Sequence, residues 1–322
     1  MTRPTDVAAR LLRSFDPDRL KADLERSDAF AWGEIDNYFG ADKRHGGLWT
    51  GLSLRSQGGR WDSTHPGGPG LLPWVDTELL EKTPYFREVL SSLECEVRSV
   101  RLSALQPGGK IAEHSDLVLS IEHGAVRLHI PIVTSPDIVF TINGQRIHWD
   151  EGEFWYGDFV HNHWVENPTG SRRVHIVLDA IVNDWLLGLF PPEFIEARRG
   201  DIPMPPSPTQ VERLERFACR FVGQFGNLLP KHVTGQDTDV LMANAIKNKI
   251  EATVEIEDGS LMLKVGGRSY TRLIPIGENR FALSGGHPAL WMEFGLEQDA
   301  VRRAHVKAKI RHQWATIPLE LI

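Results

Sequence analysis

Short runs of β-branched and aliphatic residues, broken every few positions by Gly, Pro, Asn or Asp, fill the stretch from Glu96 to Ala180. Residues 97–105, 126–133, 138–142 and 174–181 each have the length and composition of a strand. Residues 138–142, the Asn143-Gly144 pair and residues 145–149 predict a hairpin with a type I′ turn, whose two central residues both need positive φ. Several short strands at such intervals predict a sandwich or jelly roll. Ahead of them, Asp16-Pro17 reads as an N-cap with proline at the first helical position, leading into a helix through residues 19–26. Trp49, Leu52 and Leu54, set between Gly46 and Gly59, predict a strand ending in a turn. Residues 67–73 read as a Gly/Pro loop and residues 84–93 as a short helix.

The pattern changes after the Pro-rich stretch 198–208, which reads as a linker or domain edge. Val211, Leu214, Ala218, Phe221, Val222 and Phe225 recur at helical spacing and predict an amphipathic helix. A second small element is expected to start near Asp239. Val254 and Ile256, the Asp258-Gly259 pair, then Leu261, Leu263 and Val265 predict a hairpin, with further strands at 269–275, 280–284 and 289–294. The expected architecture is therefore mainly β. A jelly-roll domain with an N-terminal helical and strand extension occupies residues 1–200, and residues 201–322 form a small α+β accessory domain of one helix and a β-rich part.

Composition narrows the function classes. A formal net charge of −7 argues against a surface built for non-specific nucleic-acid binding. Two cysteines, Cys95 and Cys219, cannot make a disulfide framework and suggest a reducing compartment. The first fourteen residues lack the apolar core of a signal peptide, and no run of about 18 apolar residues predicts a membrane span. The expectation is a cytoplasmic protein without nucleic-acid or membrane partners. Many of the thirteen histidines and ten tryptophans fall between residues 110 and 180, which is where the chemistry is sought.

His114 and Asp116 are two apart, so a strand would present both on one face. His163 lies on a later segment that an antiparallel return could bring alongside. Two imidazoles and a carboxylate on one face make the facial triad of non-haem iron(II) oxygenases, with three positions left open. Those positions suit a bidentate oxo acid and dioxygen. Arg173, ten positions past His163, could offer its planar fork to the far carboxylate of that acid. Taken singly each residue has a blander reading: a His-x-Asp pair is usually a turn, and a histidine among tryptophans is usually a hydrogen-bonded core residue.

Taken in order, these residues resemble the aspartyl/asparaginyl β-hydroxylase family of 2-oxoglutarate oxygenases, which includes bacterial amino-acid hydroxylases such as the cis-proline hydroxylases. The resemblance runs over roughly residues 85 to 190. It rests on Ser103, Pro107-Gly108 and His114, on Arg127-Leu128-His129, on Trp149 to Gly152 leading to His163, and on Arg173. It implies a double-stranded β-helix (a cupin-like jelly roll) with iron(II) on His114, Asp116 and His163. It also implies 2-oxoglutarate as co-substrate, held by Arg173 and Ser103, with His129 as a donor to its carboxylate and Arg127 beside it, and dioxygen as the oxidant. Some animal members carry glycine at the position of Asp116, whereas the bacterial amino-acid hydroxylases keep the carboxylate. The implied substrate is an amino acid, free or within a peptide, hydroxylated at an unactivated carbon. His161 is the competing second histidine, passed over because only His163 fits the spacing to Trp149 and Arg173. His175 reads equally as a pocket or core residue, His123 and His148 as surface or turn residues, and Trp155 and Trp164 as core aromatics. Arg55, on the strand ahead of the Gly-rich turn, is a candidate for a substrate carboxylate, against the plainer reading of an exposed strand arginine. Two other classes stay open: a metal-dependent hydrolase or isomerase on the same cupin-like barrel, and a ligand-binding barrel without turnover. The carboxylate clamp at Arg173 speaks against the first and the complete triad against the second.

Overall fold

The computed structural model describes residues 6–35, 48–63, 68–116, 118–198, 200–223, 249–310 and 312–322. The Gly46 and Gly67 ends of two predicted segments, positions 224–225 of the predicted helix and the start of the element expected from Asp239 lie outside the described residues. The chain forms two compact units. One gathers the described residues up to 204 apart from 68–72; the other holds 68–72 and those from 205 onward.

The first unit contains strands β1 (Ala8–Ser14), β2 (Gly33–Glu34), β3 (Trp49–Gln57), β4 (Trp74–Asp76), β5 (Val97–Leu105), β6 (Lys110–His114), β7 (Ala125–Val133), β8 (Val139–Ile142), β9 (Gln145–Arg146), β10 (Glu153–Gly157), β11 (His163–Glu166) and β12 (Arg173–Ile181). They form an eight-stranded sheet in the order β1-β10-β7-β12-β5-β3-β2, with β4 on β3, and a four-stranded sheet in the order β6-β11-β8-β9. This is a mainly β, jelly-roll-like architecture with few helices. The predicted hairpin is present: Asn143 and Gly144 both have positive φ between β8 and β9, although β9 is shorter than expected.

Helices α1 (Pro17–Ser27), α2 (Glu78–Lys82), α3 (Pro84–Ser91), α4 (Asp184–Leu187) and α5 (Pro192–Glu196) supply the flanking layer. Asp16 caps α1 as predicted, its carboxylate accepting from the N–H groups of Asp18 and Arg19. Asp23 on α1 is fully buried and accepts from the N–H groups of Tyr85 and Phe86 at 2.6 and 2.9 Å. It thus satisfies donors at the start of α3, where Thr83 makes no side-chain cap.

The three central strands of the large sheet treat their faces differently. Val100, Leu102 and Ala104 of β5, Val126, Leu128, Ile130 and Ile132 of β7, and Val174, Ile176, Leu178 and Ala180 of β12 enter one apolar core with Leu20, Leu24, Phe86 and Val89 of the helices. Most of the alternate positions are polar: Ser99, Arg101 and Ser103; Arg127 and His129; Arg173, His175 and Asp179. All but Arg127 of these are buried. Because side chains alternate along a strand, one face of the sheet carries the core and the other the site.

The second unit is a closed barrel of β13 (Cys219–Gly223), β14 (Ile250–Glu257), β15 (Ser260–Val265), β16 (Arg268–Pro275), β17 (Arg280–Leu283), β18 (Leu290–Glu297), β19 (Ala300–Ile310) and β20 (Gln313–Leu321). The Asp258-Gly259 hairpin and strands β16 to β18 follow the sequence pattern. The helix expected over residues 211–225 does not form across its described part. Leu214–Phe217 make one 3-10 turn and Cys219 onward is strand, so no α-helix occurs among the described residues of this unit. The apolar spacing has another cause. Phe217 on the 3-10 turn and Phe221 on the strand both enter the barrel core, and β13 is held by β14 on one side and β20 on the other.

Gly152, just before β10, sits at φ +76°, where an added Cβ would collide with the Phe15 carbonyl oxygen. Its own carbonyl accepts from Phe15 N–H and its N–H donates to the Pro131 carbonyl. Gly152→Ala is expected to cost at least about 2 kcal/mol, read as a lower urea midpoint for this unit.

Candidate metal centre

Strands β6 and β11 pair antiparallel in the small sheet, with His163 directly opposite His114. The two imidazole rings lie 4.2 Å apart between centroids. Just past β6, the N–H of Asp116 donates to the Phe159 carbonyl at 2.7 Å, which returns its side chain to the same place. One donor atom from each of His114, Asp116 and His163 lies within 4.8 Å of the others, so small side-chain shifts would close all three on a single cation. Nδ1 of His114 contacts the Ala112 carbonyl at 2.8 Å, and Nδ1 of His163 contacts the His161 carbonyl at 2.9 Å. A carbonyl can only accept, so each Nδ1 carries the proton and each Nε2 keeps a lone pair for a metal. His161 thus contributes its backbone; its ring lies 3.8 Å from Asp158. Burial drives the His163 imidazole down to about 4, keeping it neutral at neutral pH.

Asp116 is held from behind. Arg127 donates from Nη1 to Asp116 Oδ2 at 2.5 Å, and from Nε and Nη2 to the two oxygens of Asp179 at 2.8 and 2.9 Å. Burial by itself would raise the Asp116 carboxyl, but Arg127, then His163, His114 and Arg101, outweigh it and hold it below its ordinary value. Arg127 was expected beside the oxo acid. It instead orients the carboxylate of the candidate metal group, its fork being shared between Asp116 and Asp179.

Next to the triad lies a second buried group. Arg173 is 5% exposed, and its one described hydrogen bond is from Nη2 to Nδ1 of His175 at 3.2 Å. Burial brings its guanidinium down to about 9. Phe140 lies 5.7 Å beneath it. His129 Nδ1 meets the same His175 Nδ1 at 3.3 Å. A guanidinium only donates, so in the Arg173 hydrogen bond His175 Nδ1 accepts and the His175 proton sits on Nε2; the His129 ring packs edge-on against it. Both Nε2 atoms are buried without a partner. As arranged, His175 offers an N–H to the pocket beside His129. Burial, then Arg173, pushes both imidazoles well below their ordinary value. Ser103 lies opposite His175 on β5 and accepts from Trp49 Nε1 at 2.9 Å, which leaves its hydroxyl proton available to donate.

Arg55 does not join this group. The register of β3 against β5 slips by one residue between Ser53 and Arg55, so Ser53 pairs with Arg101 and Arg55 with Val100. Directly paired residues share a face. Arg55 therefore points with Val100, away from the polar face, and is bound by Asp76 at 2.5 Å and the Val97 carbonyl at 3.1 Å. Asp179 and Arg101 belong to the site and were not among the sequence candidates. Their signal was the alternation itself, with Ser-x-Arg-x-Ser on β5 set against Val100, Leu102 and Ala104. His123, expected at the surface or in a turn, lies in a 3-10 turn but is buried, with Nδ1 2.7 Å from Ser120 Oγ, whereas His148 pairs with exposed Asp150. Trp155 is buried against Trp149, and Trp164 has Lys110 over its ring.

A family model described as aspartyl/asparaginyl beta-hydroxylase matches residues 16–182. No curated protein matches the chain in sequence. Among solved structures, a 2OG-Fe(II) oxygenase family oxidoreductase from Burkholderia pseudomallei is 13% identical at TM-score 0.33, covering 52% of this chain and 79% of its own. A cupin domain from Bordetella pertussis is 16% identical at TM-score 0.22, covering 28% of this chain and 88% of its own. A non-heme alpha ketoglutarate dependent carbocyclase of nogalamycin biosynthesis is 10% identical at TM-score 0.35, covering 54% and 79%. None of these structural likenesses is strong enough to transfer a function.

Two outcomes follow from the geometry. Arg127→Lys keeps the charge but loses the fork, and is expected to weaken cobalt(II) binding by roughly 10–100-fold in calorimetric titration. His129 and His175 have folded-state values below the unfolded value of about 6.5. Their contribution to stability is therefore complete above that pH and lost as pH falls beneath it. The urea midpoint of the metal-free protein should drop between about pH 7 and pH 5, and the His129→Gln/His175→Gln double variant should flatten that drop.

Proposed function

Because the chain belongs to the aspartyl/asparaginyl β-hydroxylase family, we propose that it is an iron(II)- and 2-oxoglutarate-dependent dioxygenase that hydroxylates an unactivated carbon of an amino acid, free or within a peptide. The observation that carries this reading is the pairing of a two-histidine, one-carboxylate group with a buried arginine that has no carboxylate partner among the described residues. A facial triad leaves half of an octahedral metal open. A buried guanidinium without a counter-charge fits the remote carboxylate of an acid bound at those open positions.

When bound, iron and 2-oxoglutarate supply the oxidising chemistry, coupling decarboxylation of the oxo acid to insertion of oxygen into a carbon–hydrogen bond. The chain's residues do the positioning. His114, Asp116 and His163 are the three ligands, with both imidazoles turned by backbone carbonyls and the carboxylate turned by Arg127. Arg173 receives the remote carboxylate, and the Ser103 hydroxyl and His175 Nε2–H stand as further donors, with Arg173 fixing the His175 tautomer and His129 packed beside it. Phe140, Trp149 and Phe159 line this part of the site and exclude water from it. The roles of proton donor and acceptor in the pocket are set without charging either buried imidazole.

The test needs no substrate. Metal-free protein mixed anaerobically with iron(II) and 2-oxoglutarate should develop the visible charge-transfer absorption of the chelate. His163→Ala should abolish the band, and Arg173→Ala should raise the 2-oxoglutarate needed for half-maximal absorption by roughly 30-fold or more. A folded, iron-loaded wild type that gives no band would overturn the assignment.

A further inference from the structure

Arg101 is the second buried arginine of the first unit, 5% exposed, on the polar face of β5 between Ser99 and Ser103. Its cross-strand partners are Ser53 on β3 and Val177 on β12, and Val177 sits between His175 and Asp179. Its charge is felt at Asp116 and at His129, so it stands within the site. Yet it has no carboxylate partner among the described residues. The one described hydrogen bond is a long one, from Nη1 to Ser99 Oγ at 3.4 Å, and Nε is buried with no partner. The nearby carboxylates are already engaged: both oxygens of Asp179 accept from Arg127, and Asp116 divides its two between Arg127 and the metal position.

A buried guanidinium that the fold leaves unpaired weakens the protein unless a ligand completes it. Arg173 and Arg101 are two such groups on neighbouring strands, and a single oxo acid offers only one remote carboxylate. Charge counting leads to the same place. Three guanidiniums (Arg101, Arg127 and Arg173) meet two carboxylates (Asp116 and Asp179) on this face. A divalent metal and a dianionic oxo acid cancel each other, which leaves one positive charge in a buried pocket.

Resting on the function proposed above, we infer that Arg101 is the anchor for a carboxylate of the substrate, and that the enzyme acts on amino acids or peptides presenting a free carboxylate near the hydroxylated carbon. Arg55, bound by Asp76 on the other face, leaves this role to Arg101. The carboxylate could be the α-carboxylate of a free amino acid, the C-terminus of a peptide, or an acidic side chain, and the same guanidinium recognises each.

The experiment uses the full chain with iron(II) and saturating 2-oxoglutarate under anaerobic conditions. It is titrated with four sets of probes: free L-amino acids, their carboxamides, N-acetyl dipeptide acids, and N-acetyl dipeptide amides containing aspartate or glutamate. The readout is the shift in charge-transfer absorption when a molecule enters beside the metal. Wild type should respond to one carboxylate-bearing set and not to the matched carboxamides, and the responding set identifies the source. Arg101→Met should raise that half-saturation concentration by about 30-fold or more while changing the half-saturation for 2-oxoglutarate by less than about threefold. Metal-free Arg101→Met should melt no lower than wild type, because the one described contact of the guanidinium is its long hydrogen bond to Ser99. Carboxamides that act as well as acids, a panel in which no carboxylate produces a shift, or a variant whose 2-oxoglutarate response moves instead would each overturn the inference. So would a variant that melts several degrees lower, since Arg101 would then be structural. Absence of any band in wild type would be a different failure, overturning the functional reading on which the inference stands.

Discussion

The rest of the structure depends on one constraint: β5, β7 and β12 are buried on both faces, and the two faces are chemically opposite. Val100, Leu102 and Ala104 must meet the helices, while Arg101 and Ser103 must not. A one-residue slip in any of these strands would place guanidiniums and imidazoles in the apolar core. Register is therefore set by the cost of the wrong alternative as much as by contacts in the right one. The same register aligns Asp179 with Arg127 and His175 with Ser103, so correct folding of the sheet also assembles the site.

On the small sheet the corresponding element is the β6–β11 pair. It brings His163 opposite His114, and local carbonyls choose which nitrogen of each ring stays bare. Asp116 lies beyond the end of its strand and has no such local control. It is positioned from the large sheet instead, through Arg127 and Asp179. The candidate metal group thus sits on the small sheet but is braced from both, with its two histidines oriented by the strands that carry them and its carboxylate by an arginine from across the roll. Shielded charges at the third ligand make its position more sensitive to distant substitutions than those of the histidines.

Much of this was legible in the sequence, for identifiable reasons. Strands such as Val97–Leu105 and Arg173–Ile181 are long, β-branched and bounded by turn residues, and the spacing of His114, Asp116, His163 and Arg173 carried the chemistry. What escaped was whatever depends on partners far along the chain. Arg55 left the site through a bulge in the β3–β5 register, which composition does not mark. Arg127 was assigned to a ligand because its two carboxylate partners, Asp116 and Asp179, come from different elements. Arg101 was overlooked although its alternation with Ser99 and Ser103 was in plain view, because buried charge reads as surface until the opposite face is known to be covered. Past residue 210, apolar spacing suited to a helix came from a 3-10 turn followed by a strand, and β19 and β20 lacked turn signals strong enough to mark them.

Closure of the second unit has a consequence for how the protein is made. Every strand of the jelly roll lies before residue 182, so that unit can fold while synthesis continues. The barrel is different: its first strand, Cys219–Gly223, is sealed by its last, Gln313–Leu321. During synthesis β13 must wait, with one edge open, until the Gln313–Leu321 strand has left the ribosome. Its contacts are among the most distant in sequence within the unit, which makes barrel closure the slow, aggregation-exposed stage. A pause or truncation before Gln313 would therefore yield a complete jelly roll joined to an unsealed sheet.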